Sequence, residues 1–307
     1  MLPTVDFCGL NVTRLIIGAN PFGGYSHQNR ARDEEMRTYY TVDRILETWA
    51  RAEAAGINTM ITNNETPHVL EAVRRYLGAG GTLQWIAQLN CRTRPDMRAA
   101  IDEAVAIGCK AVYFHGALVD KAYVEQDEGT IRAWCDHARS RGVPAGVAGH
   151  APQAQLWVHG LDAADFHAVC LFNCGSLHTG KGDKFRLADM APALAAIRRI
   201  EKPCIAYKIM GAGRIDARMA FEYAFEQIKP GDVVNVGMHR GDRDDGDPKA
   251  GQMTFHNGNM IVVRINLASH SRHQELWKQC VSKLQTGTKE SPIFCGMTCG
   301  RPKNGGL

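Results

Sequence analysis

The residues of this chain that could do chemistry lie at the ends of short apolar runs. His115 ends "AVYFHG", His150 ends "PAGVAGH", and Lys208 lies near the end of "CIAYKIM". Imidazole titrates near neutral pH, so either ring could transfer a proton, polarise a substrate oxygen or ligate a metal. A lysine ammonium could form a Schiff base or stabilise an anion. His115, His150 and Lys208 are therefore the candidate catalytic residues.

Other polar side chains end the remaining apolar runs. Amide groups and a further imidazole can donate and accept hydrogen bonds, which suits a substrate rich in hydroxyl or carbonyl groups. We expect these residues to bind and orient such a substrate: Asn20, Asn63 with Asn64 beside it, Gln88, Asn173 and His239.

The run that contains Lys208 is followed at once by the glycine turn "GAGR". Backbone N–H groups at Gly211 and Gly213, near the start of a helix and beside the guanidinium of Arg214, would suit an anionic group. A tight turn with a surface arginine is the alternative. We assign Gly211, Gly213 and Arg214 to substrate binding.

A divalent metal at the two histidines would need a third ligand, for which Glu65 and His239 are the candidates. Carboxylates are scarce at the ends of the apolar runs, so we assign no metal ligand, although a divalent metal stays open. The pair Cys170 and Cys174 lacks the second pair that a zinc site needs.

These residues share a common setting, because eight short apolar runs alternate with amphipathic helical stretches. Repeated strand–helix units with near-continuous apolar strands predict a parallel sheet buried on both faces. Eight units in about 240 residues predict an α/β fold, a (β/α)8 TIM barrel, in which the carboxyl ends of the strands carry the active site. A doubly wound sheet would call for a glycine fingerprint after the first run, and "GANPFGG" lacks it. The runs are 13–20, 59–64, 83–89, 111–116, 144–150, 167–173, 204–210 and 233–238.

The last part of the chain has a different composition. We predict one barrel domain over 1–285, which includes a long irregular insertion after the eighth strand (240–263) and a final helix at 269–285. Residues 286–307 are rich in Gly, Pro and polar residues and are expected to form a loosely ordered tail.

Composition narrows the class of partner. The net charge is +4, from 36 Lys and Arg against 32 Asp and Glu, with the signs well mixed, so we expect no nucleic-acid partner. No apolar run approaches the roughly 20 residues that span a bilayer, and the first residues lack a secretion signal. We therefore expect a cytoplasmic protein with a small-molecule substrate and no membrane partner. The sequence leaves the oligomeric state open.

Several of these stretches resemble the aldo-keto reductase superfamily. "GLNVTRLIIGANPFGG" is similar to that family's first strand and glycine turn, "AGIN" to the segment before its second strand, and "AVYFHG" to its histidine-bearing fourth strand. The resemblance implies a barrel and an NADPH-dependent reduction by an aspartate, a tyrosine, a lysine and a histidine. Only the histidine matches, at His115; Ile61 stands at the aspartate position, and Gln88 or Leu89 at the lysine position.

The loop where the family has its tyrosine reads "NNETPH". We therefore expect a non-redox enzyme with acid–base chemistry, a hydrolase, lyase or isomerase, acting on a small sugar-like, carbonyl or acyl substrate, with NADPH not expected. One alternative is an NADPH-dependent reductase in which Tyr25 supplies the proton. The other is a non-catalytic barrel that binds a metabolite.

Strand alternation also predicts how Lys208 is placed. If the seventh run is a barrel strand, Cys204, Ala206 and Lys208 face the barrel axis, and Ile205, Tyr207 and Ile209 face the surrounding helices. The Lys208 ammonium would then rise from the axis toward His115 and His150.

Overall fold

Eight parallel strands close into a barrel, as the sequence predicts. A computed structural model describes residues 2–92, 96–173 and 185–239, together with the backbone of two strands between 253 and 263. The strands pair in the order β10-β3-β4-β5-β6-β7-β8-β9, and β9 pairs with β10 to complete the ring. All eight predicted runs form these strands: β3 (Leu15–Gly18), β4 (Thr59–Asn63), β5 (Gln84–Leu89), β6 (Ala111–Phe114), β7 (Ala145–Gly149), β8 (Phe166–Cys170), β9 (Cys204–Tyr207) and β10 (Val233–Gly237).

Amphipathic helices surround the strands and bury their apolar faces against them. In α2, for example, Ile45 and Trp49 are fully buried, one helical turn apart. The helices in the described residues are α1 (Arg30–Tyr39), α2 (Val42–Ala54), α3 (Pro67–Gly78), α4 (Met97–Ile107), α5 (Gly116–Glu125), α6 (Glu128–Ser140), α7 (Pro152–Gly160), α8 (Met190–Arg199) and α9 (Ala217–Gln227). None of them is long and apolar enough to cross a membrane.

A hairpin that the sequence reading did not predict precedes the barrel. Strands β1 (Thr4–Phe7) and β2 (Leu10–Thr13) pair antiparallel across a turn in which Cys8 and Gly9 have φ of 54° and 81°. Both central residues of a type I′ turn need positive φ, which glycine tolerates best. Phe7 and Val12 are fully buried in the same cluster as the axial residues of the barrel. The hairpin therefore contributes directly to the core.

Replacing Val12 by Ala should lower the free energy of unfolding by about 2 kcal/mol, because it removes two buried methyl groups and leaves a cavity. Urea unfolding at neutral pH measures the change. Val124→Ala is the matched control, because Val124 is 78% exposed. Equal stabilities for the two variants would show that the hairpin does not support the core.

The part of the chain after β10 partly departs from the expectation of an irregular insertion. Within it, β11 (Met253–His256) and β12 (Met260–Val263) pair antiparallel. The sequence between them contains Asn-Gly, the strongest short hairpin signal, so this hairpin has a local signal in the sequence. The predicted helix at 269–285, the tail at 286–307 and Cys174 lie outside the described residues, so the domain boundary at 285 stays a prediction.

The axial core shows which residues of each strand point inward. Ile205 belongs to the buried axial cluster, and Tyr207 packs against it, whereas the Cys204 thiol lies 3.3 Å from the Lys229 Nζ, outside the barrel. The alternation predicted for this strand is therefore reversed. Period-two alternation is the same in either register, so the sequence pattern could not decide which face was inward.

Candidate active site at the barrel mouth

The side chain of His150 contacts the carboxylate of Asp120, a residue that the sequence alone does not mark as part of the site. His150 follows the last residue of β7, and its Nδ1 lies 2.7 Å from Oδ2 of Asp120 on α5. The backbone N–H of His150 donates to the same carboxylate, at 3.0 Å from Oδ1. A carboxylate accepts hydrogen bonds, so Nδ1 carries a proton, and in the neutral ring Nε2 keeps its lone pair. His150 is thereby held in the tautomer that can act as a base.

His115 is held in the opposite tautomer. It caps α5, and its Nδ1 accepts the backbone N–H of Ala117 at 3.1 Å, so a neutral ring carries its proton on Nε2. Burial, followed by the charges of His150, Arg92 and Lys208, lowers the pKa of His115 to about 4. The ring is therefore neutral at pH 7 and offers an N–H donor.

The two imidazoles are neighbours, with ring centroids 6.2 Å apart. Gly116 allows this approach, because a Cβ there would lie 2.8 Å from Cε1 of His150. Neither Nε2 has a hydrogen-bond partner within residues 2–92, 96–173 and 185–239. The neutral forms of these two neighbouring rings therefore carry a lone pair on Nε2 of His150 and an N–H on Nε2 of His115, a base and a donor of the kind that proton transfer uses.

Lys208 lies at the rim and is not carried there by strand alternation. It is the first residue after β9 and has a φ of 56°, a left-handed conformation that costs a non-glycine residue about 1 kcal/mol. This conformation ends the alternation and places Nζ 5.8 Å from the centroid of the Tyr207 ring. Lys208 is half-buried, and its charge reaches His115. The charge of Lys208 therefore reaches His115 through the left-handed backbone and not through strand alternation, and its predicted approach to His150 stays a prediction.

Lys208→Gly should raise the free energy of unfolding by about 1 kcal/mol relative to Lys208→Ala, because only glycine adopts this φ without strain. Both variants lose the ammonium, so the comparison isolates the backbone. Thermal unfolding of the two proteins side by side measures it. Equal stabilities would mean that the left-handed conformation is not kept in solution.

A second cation reaches this part of the mouth. Nε of Arg92, after β5, lies 3.2 Å from Oε2 of Glu65, whose carboxylate is almost completely buried. Arg92 lowers and Glu65 raises the pKa of His115, so both lie within electrostatic range of that ring. The sequence marks Glu65 only as a possible metal ligand, and nothing in it singles out Arg92.

The "GAGR" turn joins two loops of the mouth. Gly211, Ala212 and Gly213 all have positive φ, and the Arg214 guanidinium donates to the backbone carbonyls of His27 and Gly211. The side chain of Gln28 donates to Ala212 O at 2.8 Å. In this arrangement Arg214 ties the loop after β9 to the loop after β3. Its predicted part in anion binding stays a prediction.

Three predicted substrate-binding amides lie at the mouth but already have partners. Oδ1 of Asn63 accepts the backbone N–H groups of Glu65 and Thr66, which shapes the start of α3. Gln88 faces the axis and donates to the Tyr113 hydroxyl at 3.0 Å. Asn20 is exposed and lies 3.3 Å from His27 through Nδ2.

Two other predicted residues are not brought to the histidine pair. His239 is buried against α1, where Nε2 lies 3.4 Å from Oε1 of Glu35 and the ring packs on Tyr40. Asn173 follows β8, and its backbone N–H donates to Asp189. At the mouth, the residues that face the barrel axis are instead Cys170 on β8, Tyr207 on β9 and Asn235 on β10.

The residues present do not fit the reductase chemistry that the family resemblance implies. Ile61, at the aspartate position, is packed in the axial core, and Gln88 is bonded to a buried tyrosine. The Tyr25 hydroxyl lies 3.5 Å from Oγ1 of Thr66. No group of three potential metal ligands converges in the described residues, and Nε2 of His239 contacts Glu35 on α1.

The pattern of strand ends does not single out Asp120 or Arg92, because Asp120 lies on a helix and Arg92 lies in a loop. A usable signal existed for Asp120. It lies five residues after His115 in "HGALVD", so the helix that begins at one strand-end histidine carries the partner of the next. Only the closed barrel places α5 beside the end of β7.

Comparison with solved structures supports the fold. A protein described as an aldo-keto reductase from Pseudomonas aeruginosa superposes with a TM-score of 0.53 at 18% identity, over 77% of this chain and 87% of that one. A mandelate oxidase mutant gives 0.48 at 14% identity, over 76% and 68%. Orotidine 5′-monophosphate decarboxylase from Methanocaldococcus jannaschii gives 0.43 at 12% identity, over 74% and 89%. At such identities the first likeness shows the fold alone: a divergent TIM barrel similar to the aldo-keto reductases.

No protein-family sequence model matches the chain. No curated protein matches it either.

Proposed function

We propose that this barrel is an acid–base enzyme that moves a proton on a small carbonyl compound, in the class of isomerases, lyases or hydrolases. The observation that carries the proposal is the Asp120–His150 hydrogen bond beside a neutral His115. A base and a hydrogen-bond donor with fixed, opposite tautomers form the smallest set that can remove a proton from carbon and support the oxygen that becomes negative.

In the proposed step, Nε2 of His150 takes the proton from the carbon next to a substrate carbonyl. The electron pair of the broken C–H bond moves toward the carbonyl oxygen, which the Nε2–H of His115 stabilises by a hydrogen bond. Asp120 stabilises the imidazolium that forms on His150, because a carboxylate favours the charged ring. The proton then returns to a neighbouring atom for isomerisation, or reaches a leaving group for elimination.

Lys208 and Arg92 indicate the kind of substrate. Lys208, together with Arg92 whose guanidinium is also paired with Glu65, lies in electrostatic range of His115 and would suit a carboxylate or another anionic group on the same small molecule. Lys208 can hold this group as an ammonium, or it can form an imine with the carbonyl. Borohydride trapping with a verified substrate distinguishes the two, because only the imine leaves a stable adduct on Lys208.

The test is proton exchange in D2O. We expect the protein to replace C–H by C–D in one or more members of a panel of 2-oxo acids, hydroxy aldehydes, hydroxy ketones and 3-hydroxy acids, observed by proton NMR. His150→Ala protein, prepared in parallel, is the control for contaminating activity. Absence of both exchange and elimination across the panel would refute the proposed proton transfer.

The two alternatives give different outcomes with the same sample. A metabolite-binding barrel would show calorimetric binding of a panel member without exchange. A reductase would show saturable NADPH binding by fluorescence and NADPH oxidation with a carbonyl compound.

A further inference from the structure

The register of β9 places a tyrosine in the mouth of the barrel. Tyr207 is the last residue of the strand and is partly buried, and it packs on the axial cluster. A buried tyrosine packs its ring in the core and finds a hydrogen-bond partner for its hydroxyl, which here is the side chain of Cys170. The proton-transfer step above does not use Tyr207.

The neighbours of Tyr207 form a continuous arc. In the barrel order, β6, β7, β8 and β9 are adjacent, and their inward groups at the mouth are His115, His150, Cys170 and Tyr207. Neighbouring strands are about 4.8 Å apart, so the strands of His150 and Tyr207 are separated by roughly 10 Å. A molecule of a few carbon atoms would touch both side chains.

The charges around Tyr207 favour a phenol that stays protonated. Burial, followed by the charges of Cys170, Tyr113 and Asp120 and by a hydrogen bond with the Cys170 side chain, raises the pKa of Tyr207 well above its usual value. A phenol in this state cannot act as a base at neutral pH and offers an O–H donor. The Lys208 ammonium, 5.8 Å from the ring centroid, adds a positive charge on the same side of the mouth.

We propose that Tyr207 is a catalytic residue whose hydroxyl donates a hydrogen bond to the substrate oxygen that becomes negative. This inference rests on the proposed function. The hydrogen bond strengthens as the oxygen gains charge, and the phenol keeps its proton, so the overall proton balance of the step is unchanged. Together with the Nε2–H of His115, the hydroxyl makes a two-donor site, and the substrate that it fits is a carbonyl compound forming an enolate.

A matched pair of variants tests the inference. Tyr207→Phe removes only the hydroxyl at the mouth, and Tyr113→Phe removes the hydroxyl of an axial tyrosine that is 4% exposed and bonded to Gln88. With a substrate found in the exchange panel, Tyr207→Phe should lower kcat by about 100-fold with KM little changed, as expected for a donor used in the transition state. Tyr113→Phe, which removes the partner of Gln88 and a neighbour of Tyr207, should lower kcat far less than Tyr207→Phe. Unchanged kcat in Tyr207→Phe would overturn the inference and leave the proposed function standing.

A readout without turnover covers the case in which no panel member reacts. Protein labelled with 3-fluorotyrosine gives 19F signals that the two variants assign to Tyr207 and Tyr113. Acetate, a carboxylate small enough for the mouth, should move the Tyr207 signal saturably and leave the Tyr113 signal in place. In an inactive protein, this shift would support Tyr207 as a ligand contact although the proposed function has failed. A Tyr207 signal that stays fixed would overturn the contact.

Discussion

Replacing Asp120 by Asn is expected to lower kcat/KM by about 1,000-fold for any substrate that passes the exchange test, within the range that general acid–base catalysis supplies. The carboxylate now accepts from Nδ1 of His150 at 2.7 Å. The amide that replaces the Asp120 carboxylate can present its NH2 group to Nδ1, so that Nδ1 becomes the acceptor and the ring takes the tautomer with its proton on Nε2. The neutral amide also cannot stabilise the imidazolium. The base would thus be lost while the shape of the site is kept.

The chain provides a control of the same chemical type. His137 and Asp102 form a second histidine–aspartate pair at 2.8 Å, between α6 and α4 on the outside of the barrel. Asp102→Asn should leave kcat/KM unchanged. Stability of both variants is followed by urea unfolding, so that a folding defect is not mistaken for a catalytic one. If Asp120→Asn and Asp102→Asn had equal activity, the His150–Asp120 pair would not be the base.

Acid should destabilise the protein because of a buried neutral histidine. Nδ1 of His167 donates to Oε1 of Gln155 at 2.8 Å, and the ring is 1% exposed. Burial, followed by the charges of His159, Lys229 and Lys202, lowers the pKa of His167 to about 3. An unfolded chain keeps a histidine pKa near 6.5, so it binds more protons than the folded chain between pH 6.5 and about 3.

Stability therefore rises with pH in that window. The contribution of His167 is fully present above pH 6.5 and falls by about 3 kcal/mol when the pH is lowered to 4.5, at roughly 1.4 kcal/mol per unit. His115, with a pKa lowered to about 4, acts in the same direction. Urea unfolding from pH 7.5 to 4.5 measures the total.

His167→Gln isolates the contribution of this residue, because glutamine can still bond to Gln155 and does not titrate. Its stability should fall less steeply with pH, whatever its stability at pH 7.5. Ser140→Ala, at the exposed end of α6, should follow the unchanged protein. An identical pH dependence in His167→Gln would mean that the buried ring is not held neutral.

The barrel could be predicted from the sequence because its signals are local. Each strand is an apolar run and each helix an amphipathic stretch, and eight repeats have few ways to bury their faces. The N-terminal hairpin was missed because its turn, at Cys8 and Gly9, lacks the common Asn-Gly or Asp-Gly pair. Its place in the core depends on packing that no local pattern encodes.

The sequence by itself determined that His115 and His150 end adjacent strands of a closed barrel, because strand order follows chain order in this fold and parallel strands end at one rim. Tertiary structure alone decided the partners. It brought Asp120 to His150 from a neighbouring helix, turned His239 toward α1, and assigned Tyr207 rather than Lys208 to the axis. The physical reason is that a period-two pattern fixes which residues share a face, whereas the packing of the whole barrel fixes which face is inside.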